Sequence, residues 1–277
     1  MSSCVGDDEA PFAQRETAEL LSRLEGAGIV SRTFLRLDAG KRSLVVEAVL
    51  SELAERGPEA ASIKSVAARA GVPVGSLYQY FADRDAMVRA ACALAAAGLV
   101  AELDCCRVQM AGLDLRAGFE AYLYEGLAWA ESRPVLLKVF ALAAYRDSVT
   151  PRRAEVAEAA PDGDGGRDAR ADADADADWA DSLVAPVAAA FRSVVRALLD
   201  GAAARGELAP ELDLELATRL ANALLIAICD SELLPGLDRY YGFHDGTYDR
   251  AALARGAAAF IAKALAPAGG RGPGGLT

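Results

Sequence analysis

The side chains best suited to recognition chemistry lie close together, between residues 62 and 84. Gln79 carries an amide that can pair with the N6 and N7 atoms on the edge of an adenine. The hydroxyls of Ser76 and Tyr78 can hydrogen-bond to phosphate oxygens, and Gly75 lets the backbone approach a surface closely. The stretch therefore offers groups for both base edges and phosphates, and its remaining candidates for phosphate or sugar contacts are Ser62, Lys64, Tyr80 and Arg84.

Catalytic and metal-binding chemistry finds little support in the sequence. The chain has a single histidine, His244, and five cysteines, none of them in a CxxC pair. This argues against a structural zinc site, a disulfide framework and a Ser-His-Asp or Cys-His centre. We find no Walker loop, no dinucleotide fingerprint after a strand and no HExxH motif. We therefore predict no catalytic residues, no metal and no cofactor, and an enzyme is the least favoured alternative.

The charge of the chain is unevenly distributed. The formal net charge is −11, which by itself speaks against DNA binding. However, residues 161–181 hold eight acidic and two basic residues, whereas residues 31–81 hold seven basic and five acidic residues. Because local charge decides whether a surface can approach phosphates, the 31–81 segment stays compatible with a nucleic acid partner.

Three predicted helices position these polar residues. Apolar residues recur at four-residue spacing over 41–56 and predict a helix with Asp38 as its N-cap, which a Gly-Pro pair ends. Ser62 is a suitable N-cap for a second, short helix, and a tight Gly-Val-Pro turn leads from it into a third helix at about 74–81. Two short helices across a tight turn, braced by a longer one, form a helix-turn-helix.

The rest of the chain is rich in alanine and leucine, the strongest helix formers, and predicts an all-α protein. The Asp- and Gly-rich sequence at about 152–180 predicts a disordered acidic loop, and 267–277 predicts a flexible tail. No apolar stretch looks long and clean enough to span a bilayer, and the N-terminus lacks the basic start of a signal peptide, so we expect a cytoplasmic protein away from the membrane. Further helices are predicted at about 85–110, 115–132, 134–146, 182–205, 212–234 and 249–265.

Residues 41–88 resemble the DNA-binding domain of the TetR family of bacterial regulators. The core of the match is the run AGVPVGSLYQYF at 70–81, whose glycines, inward leucine and aromatic pair have the spacing typical of the family. Departures are modest: Pro58 replaces a usual aromatic residue, Arg84 a usual lysine and Met87 a usual leucine. Arg84 keeps a positive charge for phosphate, although its fork geometry differs from that of an ammonium group.

The resemblance implies a dimeric, ligand-responsive repressor that binds double-stranded operator DNA. Its DNA-binding domain would span 39–84, after an N-terminal extension at 1–38, and a larger helical domain at 85–266 would bind the ligand and form the dimer. The implied DNA contacts are Arg42, Ser62, Lys64, Val74, Gly75, Ser76, Tyr78, Gln79, Tyr80 and Arg84. The candidates for contact with a hydrophobic or aromatic small-molecule effector are Phe119, Tyr122, Leu123, Leu127, Trp129 and Phe140.

Apolar stripes on two of the later helices predict how two copies would meet. The helices at about 182–205 and 212–234 each carry such a stripe, and packed against their copies they would form a four-helix seam. A single recognition helix reads too few base pairs for a genomic site, so two half-sites are expected.

Several alternatives stay open at this stage. Tyr78 and Tyr80 could be core aromatics, and residues 1–38 could be either a DNA-contacting arm or a loose extension. Cys105-Cys106 could sense redox state or a soft metal, or could be ordinary helix residues. His244 could line the rim of a ligand pocket or face solvent. A helical interaction protein that has lost DNA binding is the main rival to a regulator.

Overall fold

The computed structural model describes residues 11–149, 166–233 and 235–267, with side chains described over 17–144, 179–231 and 238–267. This part of the chain consists of helices joined by turns and contains no strand, so the predicted all-α class is confirmed. The predicted tail, apart from its first residue, lies outside the described residues. In chain order the helices are α1 (Pro11–Gly26), α2 (Arg32–Leu35), α3 (Ala39–Arg56), α4 (Ile63–Ala70), α5 (Val74–Tyr80), α6 (Arg84–Met110), α7 (Leu115–Ser132), α8 (Pro134–Val149), α9 (Gly166–Ala204), α10 (Leu214–Leu233), α11 (Pro235–Tyr241) and α12 (Arg250–Leu265).

The chain divides into two compact units. Unit 1 holds the residues up to Ala101 together with Pro134–Ala188, and unit 2 holds Glu102–Arg133 together with the residues from Ala189 onward. Unit 1 therefore contains α1–α5 and α8, unit 2 contains α7 and α10–α12, and the helices α6 and α9 each contribute to both. The predicted domain boundary after residue 84 stays a prediction.

The helix-turn-helix in unit 1 forms as its end signals predict. Asp38 caps α3 by accepting a hydrogen bond from the Lys41 N–H at 2.8 Å. Ser62 and Ser65 form a reciprocal capping box at the start of α4, so that each side chain accepts a backbone N–H of the other residue. Gly71 ends α4 with a φ of 67°, a left-handed conformation that favours glycine. The predicted caps at Asp38 and Ser62 are confirmed.

The core of unit 1 joins the helix-turn-helix to α8. Val49 on α3, Val66 on α4 and Leu77 on α5 are fully buried. The helix α8 packs against α3 and buries Val139 completely. The helix-turn-helix is thus braced from within unit 1 by a helix that begins at Pro134, 78 residues after the end of α3 at Arg56.

The helix α9 begins earlier than predicted. It starts at Gly166, so the 166–180 part of the predicted acidic loop is helical. The Ala-Asp repeat there alternates the strongest helix former with a polar residue, and between Gly166 and Pro186 no glycine or proline interrupts it. Residues 152–165 of the predicted loop lie outside the described part of the chain.

Unit 2 is centred on α7, which packs against α12 and α10. Phe119 on α7 is fully buried. Gly118 lies so close to α9 that a Cβ atom there would be 2.6 Å from Cδ2 of Leu198. The Ala209 N–H donates to the Leu265 carbonyl at 2.9 Å, which brings the end of α12 close to the start of α10.

The predicted seam between two copies stays a prediction. On α9, Val194 and Val195 are buried within the protomer's own core, whereas Val184 and Phe191 of the same stripe are half-buried. Large apolar side chains are also exposed on α10, at Leu216 and Leu220, and on α12, at Phe260.

The sequence predicted that no stretch is long and apolar enough to span a bilayer, but two helices meet that condition. By length and composition alone, Arg84–Met110 and Trp179–Ala204 are long and apolar enough. Half of the apolar window of the first and a third of that of the second are buried inside the protein, as expected of helices that pack in a protein core.

Candidate nucleic-acid interface

The helix α5 presents one buried face and one open face. Leu77 is fully buried and holds the helix against the rest of unit 1. Gly75 and Gln79 are exposed, Val74 is exposed, and Tyr78 is 63% exposed. The exposure of Tyr78 excludes the alternative that this residue is a core aromatic. The open face therefore carries a close-approach glycine, a phenol and an amide together, the groups expected for a DNA contact.

The neighbouring helix start contributes two further candidates. Lys64 is exposed at the first turn of α4. Ser62 is also exposed, and its Oγ accepts the Ser65 N–H at 3.1 Å. Ser76 at the start of α5 is half-buried, and its N–H donates to the Pro73 carbonyl at 2.9 Å. The positive end of a helix dipole lies at each of these positions, which favours an approaching phosphate.

Arg42, one of the two predicted arginine contacts, is engaged within the protein. Its Nη1 donates to the carbonyls of Leu35 and Leu37 at 3.2 and 3.0 Å. In this position Arg42 holds the end of α2 against the start of α3.

Arg84, the other predicted arginine, fixes a turn. Its Nε donates to the Ala61 carbonyl at 2.8 Å, and its Nη1 lies 2.7 Å from Oδ1 of Asp85. These contacts tie the approach to α4 to the start of α6. The side chain is about one third exposed, so it can face solvent while it makes them.

The N-terminal extension packs against the recognition helix. Phe34 is fully buried, with its ring centroid 4.9 Å from that of Phe81 and 6.0 Å from that of Tyr80. Tyr80 is half-buried as a result and is shared between a surface and a core role. Neither Phe34 nor the nearby Ser31 was predicted from the sequence, although Ser31 has the residue type and position of an N-cap for α2.

A buried carboxylate joins α3 to α4. Glu52 is only 2% exposed, and Arg69 donates to its Oε1 at 3.1 Å from α4. Burial raises the pKa of Glu52, but hydrogen bonds from Ser65 and Arg69, together with the charges of Arg56 and Arg69, outweigh burial and leave the pKa below its usual value. The ionised pair therefore fixes the crossing of the two helices that set the angle of α5, a role that the sequence did not reveal.

The candidate effector residues divide between the two units. Phe119, Leu123 and Leu127 line the buried face of α7 in unit 2. Phe140 lies on α8 and belongs to unit 1. Trp129 is half-buried, and its Nε1 donates to Oε2 of Glu102 at 2.6 Å.

Tyr122 is the one polar group among the buried candidates on α7. Its hydroxyl has no hydrogen-bond partner among the residues that the structure describes. Burial raises its pKa well above the usual value, and the nearby Cys229 and Cys106 add to this shift. A buried phenol of this kind can donate a hydrogen bond to a bound molecule.

The residues considered for metal or redox chemistry are the two neighbouring cysteines on α6 and the single histidine. Among the described residues, no group of three histidine, cysteine, aspartate or glutamate side chains could hold a metal ion. Cys105 is exposed and Cys106 is half-buried on α6. His244 is half-buried and its Nε2 is 3.0 Å from the Ile228 carbonyl oxygen, so it does not simply face solvent.

Sequence comparison identifies the helix-turn-helix segment. Residues 45–91 match the sequence model of the family described as bacterial regulatory proteins, tetR family. No curated protein matches the chain.

Comparison with solved structures covers more of the chain. The fatty acid degradation regulator FadR from Bacillus halodurans has a TM-score of 0.53 at 17% identity, over 80% of this chain and 98% of that one. The transcriptional regulator FadR from Bacillus subtilis, solved in complex with stearoyl-CoA, has a TM-score of 0.51 at 13% identity, over 80% and 98% of the two chains. At such identities the likeness shows a shared fold.

Proposed function

We propose that this chain, whose residues 45–91 match the tetR family of bacterial regulatory proteins, is a transcriptional repressor. It acts in the cytoplasm as a homodimer on a palindromic operator, and it leaves the operator when a small hydrophobic or aromatic molecule binds. The observation that supports this most directly is the open face of α5, where Gln79 and Tyr78 are exposed beside Gly75 while Leu77 holds the helix in place.

DNA binding is tested by selecting duplexes from random sequence with the purified protein. We expect a palindromic site, and an affinity that falls steeply with salt because counterions leave the phosphates on binding. Gln79→Ala should relax the preference for an adenine at one position of each half-site, at a cost of about 1–3 kcal/mol for the preferred base. Gln109→Ala, the same change at an exposed position on α6, is the matched control. If the protein retains no duplex even at low salt, the proposed repressor function is refuted.

The homodimer is proposed to form through α10 and α12. Leu216 and Leu220 are 53% and 63% exposed on α10, and Phe260 is 65% exposed on α12. The Ala209–Leu265 hydrogen bond brings the end of α12 that carries Phe260 close to the start of α10. Large exposed apolar side chains gathered in one region mark an interaction surface, and a second copy brings an identical, self-complementary surface.

The effector is proposed to contact the buried face of α7. That face is apolar apart from the Tyr122 hydroxyl, which suits a ligand with a long apolar part and one polar acceptor. The FadR of Bacillus subtilis, which shares this fold, was solved in complex with stearoyl-CoA, a molecule with a long apolar acyl chain.

A library of acyl and aromatic compounds, screened by thermal shift, tests this. Tyr122→Phe removes only the hydroxyl and should weaken binding of the hits, whereas Tyr124→Phe, on the exposed side of the same helix, should leave it unchanged. Equal affinity in both variants would place the ligand elsewhere.

Ligand control is proposed to reach the DNA-binding segment through two helices. The helix α6 begins at Arg84, directly after the helix-turn-helix, and continues without interruption into unit 2. The helix α8 packs against α3 and follows α7 through Arg133–Pro134. A ligand that prefers the non-binding arrangement by about 1.4 kcal/mol lowers operator affinity tenfold. Hits that stabilise the protein but never release the operator would refute this coupling.

A further inference from the structure

The carboxyl end of the recognition helix α5 is capped by a residue from far upstream. The last carbonyls of any helix lack N–H partners within the helix, and in α5 they include those of Gln79 and Tyr80. The Ser31 N–H donates to the Tyr80 carbonyl at 2.9 Å, and the Ser31 hydroxyl donates to the Gln79 carbonyl at 2.5 Å. One serine, 48 residues before Gln79, therefore satisfies two carbonyls at the end of α5.

The same segment also packs against α5. Val30 forms an isolated antiparallel bridge with Phe81, immediately after the helix. Phe34 is fully buried against Phe81 and Tyr80. The Ser31 hydroxyl also accepts the Phe34 N–H at 3.3 Å, so the residue that caps α5 also holds Phe34 in position.

The helix α5 needs such support because it has only seven residues and leaves one face open. A helix of this length is unstable on its own in water and depends on tertiary contacts. Val30, Ser31 and Phe34 supply those contacts at its last turn, where Gln79 and Tyr80 lie. The segment lies outside the 45–91 stretch that matches the family.

We propose that Ser31 and Phe34 are positioning residues for operator recognition. They fix the last turn of α5, and with it Gln79 and Tyr80, without touching DNA themselves. This inference rests on the proposed operator binding.

The test compares Ser31→Ala with Ser31→Thr in the full chain. Alanine removes the hydroxyl, and threonine restores it in an extended backbone conformation that suits a β-branched residue. Operator affinity should fall about fivefold in Ser31→Ala, as for the loss of one net hydrogen bond, and should stay within about twofold of the wild type in Ser31→Thr. Phe34→Ala should lower operator affinity by more than Ser31→Ala does.

Two further readouts separate positioning from other roles. Amide hydrogen exchange should accelerate at residues 78–81 in Ser31→Ala and stay unchanged in the middle of α3. The slope of affinity against salt should equal that of the wild type, because no phosphate contact is lost.

The control Leu199→Ala truncates a fully buried side chain of unit 2. It should lower the melting temperature and leave operator affinity unchanged, when measured well below that temperature.

Three outcomes overturn the inference. The first is an unchanged operator affinity in Ser31→Ala, and the second is a shallower dependence of affinity on salt in that variant, which would mean that the segment contacts phosphate. The third is a loss of operator affinity in Leu199→Ala equal to that in Ser31→Ala. If the wild-type protein binds no duplex at all, the proposed function fails instead. The exchange measurement needs no DNA, so unchanged hydrogen exchange at residues 78–81 in Ser31→Ala, relative to the wild type, would reject the proposed cap even in that case.

Discussion

Replacing Phe260 by serine should dissociate the proposed dimer. A buried phenylalanine removes about 150–250 Å² from water. Since 65% of Phe260 is exposed in the protomer, a partner could cover about 130 Å² of it, which at about 25 cal/mol per Å² is worth about 3 kcal/mol. A two-fold interface contains the residue twice, so the ceiling is about 6 kcal/mol per dimer. Association also has an entropic cost, yet even a third of this ceiling raises the dimer Kd about 30-fold.

Sedimentation equilibrium of the wild type, Phe260→Ser and Val108→Ser over nanomolar to micromolar concentrations measures the effect. Val108 on α6 is 67% exposed and provides a matched change of an exposed apolar residue away from α10 and α12. We expect monomers for Phe260→Ser at concentrations where the other two proteins are dimers. A dimer Kd for Phe260→Ser equal to that of the wild type would refute the assignment of the interface, and so would dissociation of Val108→Ser alone.

Three other predictions concern stability and reactivity. The pKa of Glu52 is lowered in the folded state, so its charge stabilises the fold at pH values above the usual pKa of 4.5, and this contribution is lost as the pH falls through the lower folded pKa. In urea unfolding at pH 7, Glu52→Gln should therefore be less stable than the wild type by about 1–3 kcal/mol, and this difference in stability should disappear below pH 4.5. Gly118→Ala should lower the melting temperature, because the added methyl group would lie 2.6 Å from Leu198. The clash costs about 1–3 kcal/mol, which exceeds the gain of about 1 kcal/mol in helix propensity. An unchanged melting temperature would show that Leu198 can move away from the methyl group. Burial raises the pKa of Cys92 to about 12, so iodoacetamide at pH 8 should label the exposed Cys105 and spare Cys92 in the folded protein, as peptide mapping would show; labelling of both at equal rates would contradict the buried position of Cys92.

The sequence predicted the helix-turn-helix well because its signals are local. Caps such as Asp38 and Ser62 and the glycine turn at Gly71 act within a few residues, so their types and spacing suffice to place α3, α4 and α5. The open face of α5 followed from the same spacing, since Leu77 marks its buried side.

What the sequence did not predict depends on contacts between distant segments. An apolar stripe shows that a helix face is buried but not what covers it, and part of the stripe of α9, at Val194 and Val195, is covered by its own protomer. Arg84 carries the charge expected of a phosphate contact, yet it donates to the carbonyl of Ala61, 23 residues upstream, a partner set by tertiary structure. The docking of Phe34 on α5 joins segments nearly 50 residues apart, and no periodicity within either segment records it.

The external cap on α5 also has a consequence for the order of folding. Helices such as α3 can form as soon as their own residues are available, whereas the end of α5 is complete only when Ser31 has been brought to Tyr80 across the intervening chain. Closing a flexible loop of that length costs on the order of 3–4 kcal/mol in chain entropy, unless α3 and α4 have already shortened the path. We therefore expect the recognition helix to be the last part of the helix-turn-helix to consolidate, with φ-values near zero at Ser31 and higher values in α3. The surface that reads DNA would then be completed after the scaffold that holds it, and a chain caught before that step would be compact but unable to recognise its operator.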